Sequence, residues 1–281
     1  MESEHRMASK ETQQNRNVAI VTGASAGIGA ATARALHATG FRVFGTSRKP
    51  PASRVPGVEY LVLDVTSDES VKAAVAQVLD QAGRIDLLVN NAGVGLIAGA
   101  EESSLEQAKS LFEVNLFGLI RVTKAVLPVM RRQRSGRIVN ISSVMGLIPA
   151  PFMALYAASK HAVEGYSESL DHEVRGSGIR VVLVEPAYTR TSFEGNVYQP
   201  DQQLEVYQPA RSNAEAVMRD AMKTADSPEL VATAVVKAST AANPQRRYAA
   251  GRTARQVSLL RRFVPAAAFD KSLRKQMRLP A

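Results

Sequence analysis

Asn17-Val-Ala-Ile-Val-Thr22, followed at once by Gly23-Ala-Ser-Ala-Gly27-Ile-Gly29, is the stretch that decides the fold. The first six residues are a short apolar run of strand type, and the Ala-rich stretch that continues to His37 has a helical pattern. Between them Gly23 permits a tight turn, Gly27 lets backbone approach a pyrophosphate, and Gly29 allows close helix packing. The start of the helix presents free N–H groups to an anion. A glycine cluster alone is often only a loop, but one placed between a first strand and a first helix favours dinucleotide binding. The spacing is Gly-x-x-x-Gly-x-Gly rather than Gly-x-Gly-x-x-Gly.

Chemistry is suggested further along. In Tyr156-Ala-Ala-Ser-Lys160 a phenol and an ammonium lie four apart, side by side on one helix face. A free phenol has a pKa of about 10, and an adjacent ammonium is expected to lower it, which would make Tyr156 a usable general acid or base. Any exposed helix can carry such a pair as a solvated face, so the surroundings decide. Those are Asn90-Asn91-Ala92-Gly93 after the apolar run Ile85 to Val89, Asn115 within a predicted helix, and Ile141-Ser142-Ser143 after Arg137 to Asn140.

In this order and spacing these features resemble the short-chain dehydrogenase/reductase family over roughly residues 17 to 240. The resemblance implies a catalytic tetrad of Asn115, Ser143, Tyr156 and Lys160. Ser143 would donate a hydrogen bond to the substrate oxygen, Tyr156 would exchange a proton with it, and a nicotinamide would exchange a hydride with its carbon. Lys160 would lower the Tyr156 pKa and bond the nicotinamide ribose, and Asn115 would anchor a water linking Lys160 to solvent. A helix residue bonding its own backbone is the rival reading of Asn115. Ser142 is expected to shape the strand end.

The resemblance also implies a cofactor site made of Gly23, Ser25, Gly27, Ile28 and Gly29, of Asn91, Ala92 and Gly93, and of Tyr156 and Lys160. Asp64-Val65 matches the pair that contacts adenine; a cap on the helix beginning near Ser67 is the alternative for Asp64. In Pro186-Ala-Tyr-Thr189-Arg-Thr191 the backbone of Thr189 and the side chain of Thr191 would bind carboxamide and pyrophosphate, with Ala187 where the family usually has Gly; Pro186 could equally only end its strand. After Phe41 to Thr46 comes Ser47-Arg48-Lys49, with no acidic residue to bond a ribose 2′-hydroxyl. Arg48 with Ser47 can pair with a 2′-phosphate, so NADP(H) is expected ahead of NAD(H), unless Arg48 is only a surface charge.

A chain of 281 residues with 45% hydrophobic content can bury one sizeable core. Alternating strands and helices predict one α/β domain, a Rossmann-type doubly wound parallel sheet, over 17–252, with a helical lid at about 188–226. Residues 1–16 look like a disordered tail without an apolar leader, and 253–281 form a basic amphipathic extension. No apolar run reaches the ~18 residues of a membrane span. The absence of cysteine fits a reducing cytoplasm, and His5, His37, His161 and His172 have no metal-ligand spacing, so no metal is expected.

From Asn243 onward stand ten Lys or Arg and one acid, Asp270, so the net +9 lies wholly in this end. Phe269, Leu273 and Met277 recur every four residues as a helix stripe. Three readings stand: the stripe packs on the parent domain or another subunit, which is preferred; it makes peripheral contact with an anionic membrane; or it binds nucleic acid, against which the absence of a binding motif and of Trp argues. Leu147, Pro149, Phe152, Tyr188, Phe193, Tyr198, Tyr207 and Met218 suggest an apolar pocket, closer in style to retinol and steroid dehydrogenases than to sugar reductases. The expected substrate is therefore a lipophilic ketone or secondary alcohol, with a 3-ketoacyl thioester reductase or a non-catalytic NADP-binding sensor or membrane-surface interaction protein as alternatives. The resemblance further implies a homodimer or homotetramer formed through helices around Ser104 to Arg132 and Ala154 to Arg175.

Overall fold

Alternation within the first strand sets the layers. All four side chains of β1 (Val18–Val21) are buried. Val18 and Ile20 enter the core on one face, and Ala19 and Val21 the core on the other. A strand buried on both faces is what a parallel sheet covered by helices on both sides requires. The computed structural model describes residues 16–191 and 197–279. Almost all of the expected N-terminal tail, and Phe193, lie outside them.

β1 pairs in parallel with β2 (Arg42–Ser47), and β2 with β3 (Val58–Val62). On the other side of β1 follow β4 (Leu87–Asn90), β5 (Gly136–Ile141), β6 (Ile179–Pro186) and β7 (Arg247–Ala250). The seven strands, in the order 3-2-1-4-5-6-7, form one doubly wound Rossmann-type sheet. The order reverses between β1 and β4, and a crevice opens there at the carboxyl ends of the strands.

The helices are α1 (Gly27–Ala38), α2 (Asp68–Ala82), α3 (Leu105–Phe112), α4 (Leu119–Gln133), α5 (Ala154–Val174), α6 (Gln208–Lys223), α7 (Pro228–Thr240), α8 (Arg252–Phe263) and α9 (Ala266–Gln276). Val71, Val75 and Val78 of α2, Val122 and Val126 of α4 and Leu170 of α5 pack on one face of the sheet. Leu36 of α1 and Val231 and Val235 of α7 pack on the other. Ser67 caps α2, its hydroxyl accepting from the Ser70 N–H at 3.2 Å, so the alternative reading of Asp64 as that cap does not hold. α3 does not run straight into α4: a π-helical stretch, Glu113–Gly118, joins them and contains Asn115. Such bulges commonly mark functional sites.

The C-terminal extension is two helices, broken where Val264 is extended and Pro265 precedes α9. Its inner face lies on the parent domain. Ala254 is fully buried with Val144, Met145 and Ile148, against which Phe269 packs. Met277 is buried with Ala214 and Met218 of α6, and Leu273 packs beside them. Among the described residues no helix is long and apolar enough to cross a membrane.

Candidate active site

The glycine turn between β1 and α1 can be occupied only by glycine where it matters most. A Cβ on Gly29 would stand 2.2 Å from the Gly23 carbonyl oxygen and 2.5 Å from Asn91 Nδ2. Gly27 has φ +55°, and a Cβ there would meet Thr191 Cβ at 3.2 Å, so the turn touches the loop that follows β6. No side chain caps the N-terminus of α1 and its first turn holds no acid, which leaves the positive end of the helix facing the crevice. Asn91 Nδ2 donates to the carbonyls of Thr22 and Gly23 at 2.9 and 3.1 Å. The Thr22 hydroxyl accepts from the N–H groups of Asn91 and Ala92 at 2.9 and 3.0 Å. Thr22, which sequence reading passed over as the last residue of a strand, thus ties two expected cofactor segments together. A cradle that a methyl group would fill, at an uncapped helix start, fits a dinucleotide pyrophosphate.

Across the crevice, α5 carries Tyr156 and Lys160 on successive turns, and Ser143 follows β5. Ser143 Oγ accepts from the Met145 N–H at 3.2 Å and faces the Pro186 carbonyl at 3.5 Å. Lys160 Nζ donates to the Ile141 carbonyl at 3.0 Å and lies 5.7 Å from the centre of the Tyr156 ring. Burial lowers the Lys160 pKa to about 8, against the pull of Glu164. The expected depression of Tyr156 by Lys160 is not what the site shows. Loss of water around the phenol pushes its pKa up to about 12, and the opposing influence is the Ser143 hydroxyl. Tyr156 therefore holds its proton at neutral pH.

Asn115 is buried behind this pair. Its Oδ1 accepts from the Val94 N–H at 2.8 Å, and its Nδ2 donates to the Val94 carbonyl at 2.9 Å and to Ser159 Oγ at 3.2 Å. Both ends of the side chain are thus committed to protein groups. The π-helical turn uses Asn115 to stitch the loop after β4 to α5, so the bond to its own helix does not describe its side chain.

A cleft of about 1080 Å³ joins the two halves. Ser25, Ile28, Ser47, Arg48, Asp64, Val65, Gly93, Pro186, Thr189 and Thr191 line it together with Gly23, Gly27, Asn91, Ala92, Ser143, Tyr156 and Lys160. Gly29 and Asn115 lie just outside its wall. Arg48 is exposed at the end of β2, whereas the Ser47 hydroxyl is turned to the Lys49 carbonyl at 2.6 Å. Asp64 is held below its ordinary pKa, chiefly by the Thr66 N–H, with Arg48 adding a weaker pull. Ala187 is not among the residues with left-handed φ, so its methyl strains nothing where the family usually has Gly.

Of the expected pocket residues, Tyr188, Tyr198 and Met218 line the cleft, joined by Val94, Leu96, Ile97 and Met153. Leu147, Phe152 and Tyr207 do not. Leu147 packs against the extension side of the domain. Phe152, held at φ 60°, stacks edge-on to Tyr207 with ring centres 6.2 Å apart. Pro149 is also absent from the lining. A buried pair pins α6: Arg211 bonds Glu102, whose carboxylate also accepts from the N–H groups of Gly99 and Leu204 at 2.6 and 2.9 Å.

One polar cluster behind the site had no sequence warning beyond the spacing of Glu164, one turn after Lys160. Glu164 is buried beside Glu185 of β6, and Arg247 of β7 reaches both, at 3.0 and 3.2 Å, as well as Glu168 at 3.0 Å. Burial, reinforced by Glu185, raises the Glu164 pKa to about 7.

Comparison with known proteins agrees with this geometry. Residues 17–202 match the family described as short chain dehydrogenase. The chain belongs to that family. Similar to this short-chain dehydrogenase is the 3-ketodihydrosphingosine reductase of Bacteroides thetaiotaomicron, 45% identical over 179 residues, a match covering 64% of this chain and 66% of that one. The crystal structure of a short-chain dehydrogenase from Streptomyces avermitilis superposes with a TM-score of 0.80 at 33% identity, covering 94% of this chain and 96% of that one. Two further structures hold cofactors. A serine dehydrogenase complexed with NADP+ is 28% identical with a TM-score of 0.71, over 82% of this chain and 93% of that one. A 3-ketoacyl-(acyl-carrier-protein) reductase from Brucella melitensis complexed with NADH is 25% identical with a TM-score of 0.68, over 80% and 91%. As a short-chain dehydrogenase the protein is an oxidoreductase using a nicotinamide cofactor.

Proposed function

We propose that this short-chain dehydrogenase is an NADPH-dependent reductase of lipophilic ketones of steroid, retinoid or lipid type. The observation that carries the reading is the meeting of Ser143, Tyr156 and Lys160 with the glycine turn in one cleft, with the phenol held in its protonated form. When bound, the nicotinamide supplies the hydride to the carbonyl carbon. Ser143 donates a hydrogen bond to the carbonyl oxygen and orients it. As negative charge develops on that oxygen, Tyr156 gives up its proton, leaving a neutral alcohol and a phenolate. Lys160, buried beside the ring, stabilises that phenolate, and a pKa of about 8 allows it to pass on a proton in turn. A phenol that keeps its proton at neutral pH is the form reduction needs, which supports that direction. Asn115 acts as a positioning residue.

The cofactor preference rests on Arg48, which stands at the cleft edge after β2 where no acidic residue is present. The substrate class rests on the apolar wall of Leu96, Ile97, Met153, Tyr188 and Met218, and on similarity to a protein named for reducing a keto lipid. Reduction of a 3-ketoacyl thioester is a second reading, favoured by the likeness to the Brucella protein. A homodimer or homotetramer is supported by large apolar side chains left in water on the α3–α4 face, Leu105 and Phe117.

The test is oxidation of NADPH and of NADH by the purified protein over a panel of small ketones, aldoses, retinal, ketosteroids, long-chain keto lipids and ketoacyl thioesters. Turnover of a lipophilic ketone with NADPH supports the proposal. Turnover confined to sugars or to NADH contradicts it, and tight NADPH binding without turnover of any substrate favours a sensor.

A further inference from the structure

The inner face of the C-terminal extension is spent on the parent domain, but its outer face is not. On α8, Leu259, Leu260 and Phe263 remain 58%, 48% and 71% exposed. Leu259 and Phe263 lie one turn apart, Leu260 lies beside them, and the exposed Ala266 and Ala267 of the next helix continue the tip. Arg252, Arg255 and Arg262 are exposed on the same helix, and the Arg262 guanidinium sits over the Phe263 ring, 5.4 Å from its centre. Lys271, Arg274 and Lys275 are exposed on α9. Monomeric proteins seldom leave such clustered large apolar groups in water without a use.

We propose that the outer face of α8 and α9 docks on an anionic lipid bilayer, with Leu259, Leu260 and Phe263 entering the interface and the surrounding arginines and lysines meeting the headgroups. Charge selects this occupant. From Asn243 onward the chain carries ten cations and one acid, so a second copy of the same face would be repelled. A nucleic-acid backbone would satisfy the cations but offer nothing to the apolar tip. A bilayer interface satisfies both: apolar side chains at the acyl boundary, cations at the headgroups, and Lys and Arg stems lying along the surface. The face is the back of a wall of the cleft, because Met277 and Leu273 of the same extension pack on Met218, which lines it. Docking would hold the cleft close to the phase in which a lipophilic ketone is dissolved, but the surface stands on its own residues whatever the substrate.

The experiment is co-sedimentation of the full chain with phosphatidylcholine vesicles and with vesicles of phosphatidylcholine and phosphatidylserine in equal parts. It compares wild type, Leu259→Ser/Phe263→Ser and Arg255→Gln/Arg262→Gln. All four positions are exposed, so folding, followed by circular dichroism and Tm, is expected to be unchanged. Wild type is expected on the anionic vesicles and not on the neutral ones. Each cation removed should weaken binding about fivefold, and added salt should weaken it further. The Ser variant should also lose binding. Absence of binding to anionic vesicles overturns the proposal. So does a Ser variant that binds as wild type, or duplex DNA that binds wild type and Ser variant alike, since either would make the face a cation surface only. NADPH oxidation in free solution is a separate readout, so failure to dock and failure of the catalytic reading are distinguishable.

Discussion

Replacing Glu164 with Gln should change how the stability of this protein depends on pH, with a sign fixed by the buried cluster. Glu164 faces Lys160 and Glu168 on its own helix, Ser142 after β5, Glu185 on β6 and Arg247 on β7. Burial and the neighbouring Glu185 raise its pKa from an ordinary 4.5 to about 7 in the folded protein. A shift of that size corresponds to roughly 3 kcal/mol of preference for the protonated form. Because the folded pKa is the higher one, this contribution is complete below about pH 4.5 and is lost as pH rises through about 7. Gln cannot ionise and makes no such contribution. The stability of the Gln variant relative to wild type should therefore rise by up to about 3 kcal/mol between about pH 5 and about pH 8. Urea denaturation of both proteins at several pH values reads this difference directly, and most other titrating groups cancel in the subtraction. A difference that stays flat across the range, or that falls with pH, would refute the account of the cluster. The same substitution removes the charge that supports the Lys160 ammonium, so the Lys160 pKa should fall further below about 8.

Other substitutions probe the remaining parts. Gly29→Ala places a methyl against the Gly23 carbonyl and the Asn91 amide, and if the about 1–3 kcal/mol that overpacking of this kind costs falls on the cradle, NADPH affinity by fluorescence titration should fall roughly 5- to 150-fold. Unchanged affinity would mean that the glycine turn is not the pyrophosphate cradle. Arg48→Ala should weaken NADPH binding roughly 10- to 100-fold, the worth of a charge-assisted bond, and leave NADH binding unchanged. Equal losses for both cofactors would remove Arg48 as the discriminating residue. Arg211→Met leaves the buried Glu102 carboxylate without its cation and should destabilise the fold by about 3–5 kcal/mol in denaturant titration, with Glu102→Leu/Arg211→Met recovering much of the loss. A double variant no better than the single one would contradict this.

Much of the fold could be read in the chain because its determinants are local. The run from Val18 to Val21 is apolar at every position, which only a strand covered on both faces tolerates, and the glycine spacing after it fixes the turn into α1. The site residues lie far apart in sequence but share one address, the carboxyl ends of β1, β2, β4, β5 and β6, so a correct strand order brings them together. What could not be read depends on burial and long-range contact. The phenol of Tyr156 was expected to be acidified by its neighbour Lys160, but spacing says nothing about lost hydration, which dominates here. The π-helical turn at Glu113–Gly118 has no periodic signal, because one inserted residue hardly alters a 3.6-residue pattern. Leu147 and Phe152 looked like pocket walls because they are apolar and near Ser143 in sequence, yet their packing partners come from the C-terminal extension and α6. By contrast, the stripe of Phe269, Leu273 and Met277, read from its four-residue spacing, does lie on the domain.

The central claim is that Tyr156 delivers a proton to a carbonyl held by Ser143. It is tested most directly by steady-state NADPH oxidation with the best lipophilic ketone, comparing wild type with Tyr156→Phe alongside NADPH binding. The account predicts that kcat falls by about 10²–10⁴-fold, the usual worth of a general acid, while NADPH still binds within about threefold of wild type. A Phe variant that turns over ketone at the wild-type rate would contradict it.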